Sequence, residues 1–357
     1  MKKLIVNHKN LSYPIFFKKG LLNDLFIVDF CLKLSNSIVI ITHKSIENSL
    51  AKPILEKFRK KNIKVKLISF SDGEKNKSRK TKELIEEQML KNNFTRKTLI
   101  IAIGGGIVLD MAGFIAATYM RGIPYVSIPT TLLAMVDASI GGKTAINSKY
   151  GKNLIGAIHH PKGVFMDFEV LENLANKETK NGLTEMLKHA LILKKKYFYD
   201  LLSAEKITQD LIVESVKIKK EIIEKDENDL SFRNILNFGH TIAHALEMSL
   251  EYKISHGEAV AIGILVESFI SYKMNFLPLK EFNEIKRFME IKKLIPHFFK
   301  IPKDKFIDAL KRDKKNIDSI NRFTLLKNIG KSINNVEIIK NHVVNYMFFA
   351  YGGLNEG

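Results

Sequence analysis

The chain has 357 residues, of which 45% are hydrophobic, and a single cysteine. This length is sufficient for a large core in about two domains, and the cysteine count excludes a disulfide framework and a cysteine-rich metal site. The formal net charge of +19 could indicate a nucleic-acid partner, but the basic residues are spread along the chain, and an anionic substrate accounts for the charge at least as well.

Apolar runs are also too short to span a membrane, and the N-terminal segment does not resemble a signal peptide. We therefore expect neither a nucleic-acid nor a membrane partner. The low cysteine content is typical of a cytoplasmic location, which is what we expect for this chain.

In chain order, the first part of the sequence alternates short apolar runs with amphipathic stretches. Strands are predicted at 37–42, 63–70, 98–106 (where the strand runs into glycines) and 125–131, and helices at 45–61, 78–93 and 107–122. From about residue 169 onward the pattern is nearly all helical. Because strand–helix alternation implies parallel strands with crossover helices, we predict an α/β Rossmann-like parallel-sheet domain over residues 1–168 and an all-α domain over residues 169–357.

Three glycines, Gly104–Gly106, separate a predicted strand from a predicted helix. Glycine lets backbone N–H groups approach a phosphate, and the helix N-terminus adds partial positive charge. A tight turn remains the alternative, because the pattern is not GxGxxG. The GGKT sequence at 141–144 is not a P-loop, since Asp137 stands where the first glycine would be, but Lys143 in this glycine-loosened loop is a candidate anion contact.

Three histidines lie close together in the second half of the chain. His240 and His244 are four residues apart, which places them on one face of a helix, and His256 follows. Spacing alone favours the first two as a metal-binding pair, with His256 or a carboxylate such as Glu185 as the third ligand. Three protein ligands would leave the open position that is typical of a catalytic metal. The alternative is that the three histidines are ordinary helix residues that bind no metal.

Six motifs resemble those of the 3-dehydroquinate synthases in order and spacing: GGGIVLDMAGFIAATYMRG, IPTTLLAMVDASIGGKTAIN, GKNLIGAIHHP, GLTEMLKHA, RNILNFGHTIAHALE and HGEAVAIG. The resemblance covers about residues 70 to 275. It implies the fold of the sugar phosphate cyclases and the conversion of 3-deoxy-D-arabino-heptulosonate 7-phosphate to 3-dehydroquinate and phosphate in the shikimate pathway. It also implies catalytic NAD, a divalent metal (Zn²⁺ or Co²⁺), a small sugar phosphate as substrate, and a homodimer.

The resemblance also implies roles for individual residues. The metal ligands would be Glu185, His240 and His256, with His244 facing the substrate. The NAD-binding positions fall on Asp72, Glu74, Lys77, Gly105, Gly106, Asp110, Thr130 and Thr131, and NAD would also be contacted where it meets the substrate by Asp137, Lys143 and Lys152. The substrate contacts fall on Lys143, Lys152, Asn153, Lys188, Lys219, Arg233, Asn237, a lysine that we assign as Lys314, and Arg121, which would reach the phosphate across a dimer interface.

Two departures from the family pattern lie close to these motifs: Leu109 and Ala243 both stand where the family usually has glycine. Alternative functions are a metal-dependent NAD(P)-linked alcohol or polyol dehydrogenase of related fold, a sister cyclase acting on another sugar phosphate, and a non-enzymatic basic binding protein. Net production of NADH would identify the dehydrogenase. The hypothesis of a non-enzymatic binding protein does not explain the presence of Glu185, His240 and His256.

Overall fold

The structure is a computed structural model that describes residues 1–7, 11–227, 231–295, 301–311 and 320–352. It divides into two compact units, Met1–Thr179 and Lys180–Gly357. The sequence predicted a division after residue 168, and the cofactor and substrate roles given to the two parts stay predictions. Among the described residues, no helix combines the length and the apolar character that crossing a membrane requires.

The first unit is built on a seven-stranded sheet with the order β1-β2-β9-β6-β5-β3-β4. All neighbouring strands are parallel except β1 and β2, which pair antiparallel. Two further strands, β7 and β8, form a separate antiparallel hairpin. The nine strands are β1 Lys2–Asn7, β2 Ser12–Lys18, β3 Ser37–His43, β4 Lys64–Phe70, β5 Leu99–Gly104, β6 Tyr125–Pro129, β7 Lys143–Ser148, β8 Gly151–Ile158 and β9 Val164–Asp167.

Helices cover both faces of this sheet because its central strands are apolar on both sides. In β3, Val39 and Ile41 belong to one core, whereas Ile38 and Ile40 belong to the other, as the two-residue period of a strand requires. Residues of the fourth and fifth helices join the first core, and residues of the first and third helices join the second. The helices are α1 Phe26–Leu32, α2 Lys44–Ile46, α3 Lys52–Arg59, α4 Arg79–Lys91 and α5 Gly106–Thr118.

The second unit is mainly helical, and two of its helices are almost completely buried. Every residue of α6 from Asn181 to Ile192 is buried, as is every residue of α10 from Ala259 to Ser271. A helix that is buried on all sides packs at the centre of a helical unit, and α6 places the charged side chains of Glu185 and Lys188 there. The helices are α6 Asn176–Leu193, α7 Lys195–Ser203, α8 Gln209–Lys225, α9 His240–Ser249, α10 His256–Lys273, α11 Leu279–Ile291, α12 Lys303–Lys311 and α13 Lys340–Gly352.

The predicted fold class, a parallel-sheet α/β domain followed by a helical region, is confirmed. One departure in the second unit is an antiparallel hairpin of β10, Ile320–Asn328, and β11, Lys331–Ile339. Another departure concerns Lys143, which was expected in a loop but is the first residue of β7. The loop interpretation was wrong because the glycines before Lys143 end the preceding segment, while the residues after it pair with β8.

The β7–β8 hairpin depends on a glycine that allows the two strands to approach. A Cβ at Gly156 of β8 would lie 2.1 Å from the Thr144 carbonyl oxygen of β7. We expect Gly156→Ala to lower the free energy of unfolding by about 1–3 kcal/mol, the usual cost of overpacking, in urea titrations. As a control, Gly106→Ala adds a Cβ only in ordinary contact, 3.5 Å from that of Ala138. Equal unfolding midpoints for the two variants would contradict this prediction.

Candidate active site

A carboxylate and two imidazoles from three helices meet in the second unit, and we call Glu185, His240 and His256 the carboxylate–histidine cluster. Each residue contributes one oxygen or nitrogen, and these three atoms lie within 4.8 Å of one another. His240 Nε2 lies 3.6 Å from Glu185 Oε1, and His256 Nε2 lies 3.8 Å from the same oxygen. The spacing between these atoms is suited to an ion bound among them.

Local structure explains why both histidines face this point, since each is the first residue of its helix. A capping box fixes the start of α10: Ser255 Oγ accepts the Glu258 N–H at 3.4 Å, and Glu258 Oε2 accepts the Ser255 N–H at 2.9 Å. Next to His256, Gly257 lets α10 approach α6 closely, because a Cβ there would lie 2.4 Å from Asn181 Cα. The start of α10 is therefore held against the helix that carries Glu185.

The electrostatics of the cluster are dominated by the carboxylate of Glu185, which is fully buried. No backbone amide or hydroxyl group of the described residues donates a hydrogen bond to its oxygens. Its close charged neighbour is Lys188, one turn later on α6 and also buried, with which it forms an ion pair. A buried carboxylate is costly unless positive charge compensates it. Lys188 supplies such charge at Oε2, whereas Oε1 faces the two imidazoles, an arrangement that also accommodates a metal cation.

Both histidines are held in a form suited to binding a metal. Burial lowers the pKa of His240 well below its usual range, and the Lys188 ammonium lowers it further, so the imidazole is neutral. Its Nδ1 lies 3.2 Å from the Phe238 carbonyl oxygen, which favours a proton on Nδ1 and leaves Nε2 as the ligand atom. His256 Nδ1 lies 3.5 Å from Glu247 Oε1, an arrangement that orients the ring in the same way.

The structure distinguishes between the two metal-binding groups that the sequence allowed: His240 with His244, or Glu185 with His240 and His256. His244 lies one turn after His240 on α9 and is exposed, with the two ring centroids 5.6 Å apart. It is not part of the group whose ligand atoms lie within 4.8 Å of one another. The structure therefore assembles the set implied by the family resemblance and not the pair that helical spacing favours, while the role of each residue stays a prediction.

The other predicted substrate residues of the second unit are mostly buried. Lys188 on α6, Lys219 on α8 and Arg233 are all buried, and Asn237 is partly buried. Arg233 Nη1 donates to the Glu227 carbonyl oxygen at 2.9 Å, and Asn237 Nδ2 donates to Asn234 Oδ1 at 3.1 Å. Both residues lie in the 3-10 segment Phe232–Asn237, shortly before His240. Lys314 lies outside the described residues.

In the first unit, the predicted glycine turn lies between β5 and α5. No described side chain caps α5, so its first N–H groups are oriented to bind an anion. The turn packs against the two threonines after β6. The Thr130 N–H donates to the Gly104 carbonyl oxygen at 3.0 Å, and a Cβ at Gly105 would lie 3.3 Å from Thr131 Cγ2. The predicted cofactor residues Gly105, Gly106, Thr130 and Thr131 are thus brought together.

Lys77 connects further predicted cofactor and substrate residues. Its buried ammonium donates to Asp110 Oδ2 and to Asn153 Oδ1, at 2.5 Å each. Burial raises the pKa of the Asp110 carboxyl, and the charge and hydrogen bond of Lys77 offset part of that effect. Asp137 and Glu74 contribute smaller increases, which places both carboxylates near Asp110. Asp137 lies on the π-helical segment Ala134–Ala138, a structure often found at functional sites.

Asn147 was not among the predicted site residues, although it links two predicted groups. Its Nδ2 donates to Glu74 Oε1 at 2.6 Å, and its Oδ1 accepts the Asn153 N–H at 3.1 Å. Its own N–H donates to the Lys77 carbonyl oxygen at 2.8 Å. These three bonds hold the 72–77 segment against the β7–β8 hairpin. A polar amide at the end of the apolar stretch TAIN, shortly before GKN, was the available signal in the sequence.

The remaining predicted residues of the first unit have diverse environments. Asp72 accepts the Ser45 N–H at 3.2 Å and lies 3.3 Å from His43 Nδ1. Lys143 is exposed, Lys152 is partly buried on β8, and Arg121 is exposed with φ +67° after Met120 at φ +50°. Of the two departures from the family pattern, Leu109 packs in the core of the first unit and Ala243 is fully buried on α9.

Two family models match the chain: 3-dehydroquinate synthase N-terminal over residues 67–181, and 3-dehydroquinate synthase C-terminal over residues 182–316. The chain belongs to the 3-dehydroquinate synthase family. A 3-dehydroquinate synthase of Endomicrobium trichonymphae is 37% identical over 366 aligned residues that cover 100% of both chains. That of Pelagibacter ubique is 39% identical over 93% of this chain and 94% of its own. The family resemblance is thus confirmed.

Solved structures show the same fold. A 2-deoxy-scyllo-inosose synthase, complexed with carbaglucose-6-phosphate, NAD⁺ and Co²⁺, has a TM-score of 0.86 at 23% identity, covering 97% of this chain and 99% of that one. The 2-epi-5-epi-valiolone synthase ValA from Streptomyces hygroscopicus, with NAD⁺ and Zn²⁺ bound, has a TM-score of 0.87 at 24% identity, with 98% and 99% coverage. An iron-containing alcohol dehydrogenase from Thermotoga maritima has a TM-score of 0.63 at 14% identity, with 98% and 99% coverage.

The ion pair of Lys77 and Asp110 generates a prediction about stability. Lys77→Met leaves the mostly buried carboxylate of Asp110, whose side chain is 19% exposed, without its cation, so we expect the free energy of unfolding in urea to fall by about 1–3 kcal/mol. Adding Asp110→Asn, which removes the charge, should recover part of this loss. The control is Lys19→Met, because Lys19 and its partner Glu172 are both more than half exposed and such a pair contributes less than about 1 kcal/mol. Similar losses for Lys77→Met and Lys19→Met would contradict the prediction.

Proposed function

We propose that this chain converts 3-deoxy-D-arabino-heptulosonate 7-phosphate to 3-dehydroquinate and phosphate, as a phosphate-eliminating carbon–oxygen lyase of the shikimate pathway. It would act in the cytoplasm as a homodimer, with catalytic NAD and a divalent metal. The observation that carries the proposal is the full-length match to curated 3-dehydroquinate synthases. The carboxylate–histidine cluster adds a site of matching chemistry.

The carboxylate–histidine cluster fits a divalent metal. One oxygen and two nitrogen ligands suit Zn²⁺ or Co²⁺, and Glu185 Oε1 lies 3.6 Å and 3.8 Å from the two imidazole Nε2 atoms while Lys188 pairs with Oε2. Glu185, His240 and His256 would hold the ion, which would supply Lewis acidity toward a substrate hydroxyl and the ketone formed from it. The two cyclases of the same fold contain Co²⁺ or Zn²⁺, which supports this assignment.

The glycine turn of the first unit fits the pyrophosphate of NAD. Gly105 and Gly106 lie at the start of α5, which no described side chain caps. The proposed cofactor residues near this turn carry carboxylate and hydroxyl groups that can bind the ribose hydroxyls. NAD would supply a reversible hydride acceptor, so the overall reaction involves no net redox change. The proposed cofactor residues are Asp72, Glu74, Lys77, Gly105, Gly106, Asp110, Thr130, Thr131, Asp137, Lys143 and Lys152.

The substrate carries a carboxylate and a phosphate, and basic side chains account for both. Ammonium and guanidinium groups form strong charge-assisted hydrogen bonds with such anions. Burial of Lys188, Lys219 and Arg233 strengthens those bonds by excluding water. Exposed His244 is proposed to exchange a proton with the substrate. The proposed substrate contacts are Arg121, Lys143, Lys152, Asn153, Lys188, Lys219, Arg233, Asn237, His244 and Lys314.

The redox cycle is tested by following phosphate and NADH together. With the heptulosonate phosphate, NAD⁺ and Zn²⁺ or Co²⁺, we expect phosphate release on every turnover and no lasting absorbance at the NADH wavelength, because the hydride returns to the same substrate. Omission of the metal or of NAD⁺ from the stripped protein is the control. If NADH accumulated in step with product, the chain would be a dehydrogenase, a reaction class that the fold also supports.

The metal ligands are tested by elemental analysis of dialysed variants. Glu185→Ala and His256→Ala should purify with little metal and without activity, because each removes one of three ligands. His244→Ala should retain about one metal per chain and lose activity by roughly 10²–10⁴-fold, as is typical of a positioned acid–base group. Metal-free His244→Ala beside metal-replete His256→Ala would show instead that the helical pair His240 and His244 holds the ion.

A further inference from the structure

Helix α10 is connected to both histidines of the carboxylate–histidine cluster, because it carries His256 and contacts the residue that precedes His240. His256 is its first residue. Two later residues of α10, Gly263 and Glu267, are four positions apart and therefore share one face. Both contact Gly239, which immediately precedes His240 and the start of α9. Through these contacts a single helix determines the position of the backbone on which the second histidine is mounted.

The contact with Gly263 is a close approach of two backbones. A Cβ at Gly263 would lie 1.9 Å from the Gly239 carbonyl oxygen, so only glycine allows α10 to approach this peptide. Gly239 itself has φ +80°, in the left-handed region that favours glycine. A Cβ at Gly239 would lie 3.0 Å from the Ile264 backbone nitrogen. The peptide before His240 is thus packed tightly against α10.

The contact with Glu267 is a charge-assisted hydrogen bond. Glu267 Oε2 accepts the Gly239 N–H at 2.6 Å, and the side chain is fully buried. Its carboxylate also lies at the N-terminus of α9, where negative charge is favoured by the helix dipole. Glu267 is the one charged residue in the otherwise apolar or small stretch AVAIGILVESFIS. An acid in such a position is costly to bury, and the bond that it makes at Gly239 offsets that cost.

We propose that Glu267 is a positioning residue for His240. It holds the Gly239 N–H while Gly263 fixes the Gly239 carbonyl, and the Phe238 carbonyl oxygen lies 3.2 Å from the His240 ring. These contacts restrict the start of α9 and therefore the place of the His240 Nε2 atom relative to His256. The inference rests on the metal site of the proposed function and adds a residue that does not touch the metal.

The test measures metal affinity in three Glu267 variants. Glu267→Gln keeps a side-chain oxygen that can accept the Gly239 N–H, so its Zn²⁺ dissociation constant should stay within about threefold of wild type. Glu267→Met keeps similar volume but removes the acceptor, and we expect Zn²⁺ to bind about 10–100-fold more weakly, as for other residues that orient metal ligands. Affinity is read by competition with a chromophoric chelator at a temperature where each variant is folded. If Glu267→Met does not fold, Glu267→Asp, whose carboxylate is retracted, replaces it with the same direction of change expected.

The matched control is Glu281, another buried acid of the same unit. Its Oε2 accepts the Ile329 N–H at 2.6 Å, the same length as the bond from Gly239 to Glu267. Glu281→Met should lower thermal stability and leave the Zn²⁺ dissociation constant unchanged, since its partner does not precede a metal ligand. Wild-type affinity in Glu267→Met, or equal weakening in Glu281→Met, would overturn the role of Glu267. Failure of the wild type to bind Zn²⁺ would refute the metal site itself, and with it this role.

Discussion

The buried carboxylate of Glu185 is the constraint around which the second unit is arranged. Removing such a group from water costs several kcal/mol, and no backbone amide or hydroxyl group of the described residues donates to its oxygens to offset this. The unit instead surrounds it with Lys188 from the same helix and the Nε2 atoms of His240 and His256. The two imidazoles and the anion together form a donor set for a divalent cation. These donors are positioned by the first residues of α9 and α10, by the close glycine contacts, and by the buried acids Glu247 and Glu267.

The first unit offers a different physical means of binding an anion. Parallel strands end at one edge of the sheet, and the backbone there turns into α5 at the glycines, where no described side chain caps the first N–H groups of the helix. The charged residues near this edge are paired with one another: Lys77 bonds Asp110 and Asn153, and Asn147 joins Glu74 to Asn153. Such a network holds the 72–77 segment and the β7–β8 hairpin in one arrangement, so residues proposed for NAD and for substrate are positioned together.

The sequence predicted the elements that have strong local signals. Strands β3 to β6 and helices α4 and α5 combine apolar runs with flanking turn residues, and each was expected close to its observed bounds. The single helix predicted at 45–61 is divided into α2, a π-helical segment Glu47–Ala51 and α3. Strands β1, β2 and β7 to β11 were not anticipated. Half-exposed strands such as β8 show no clear alternation of apolar and polar residues. Their pairing depends on partners that are distant in the chain or on a glycine such as Gly156. The placement of Lys143 in a loop was wrong for this reason.

Family membership was determined by the sequence alone, because six motifs in a fixed order are specific regardless of how the chain folds. The grouping of the three histidines was not determined by the sequence. Local spacing pairs His240 with His244, whereas only tertiary packing brings Glu185 of α6 to His240 and His256. The same limit applies to Asn147 and Glu267, whose contacts lie on other elements. Residue types and their order establish which chemistry is available, but interatomic distances between residues far apart in the chain depend on packing, and packing is decided only when the whole unit folds.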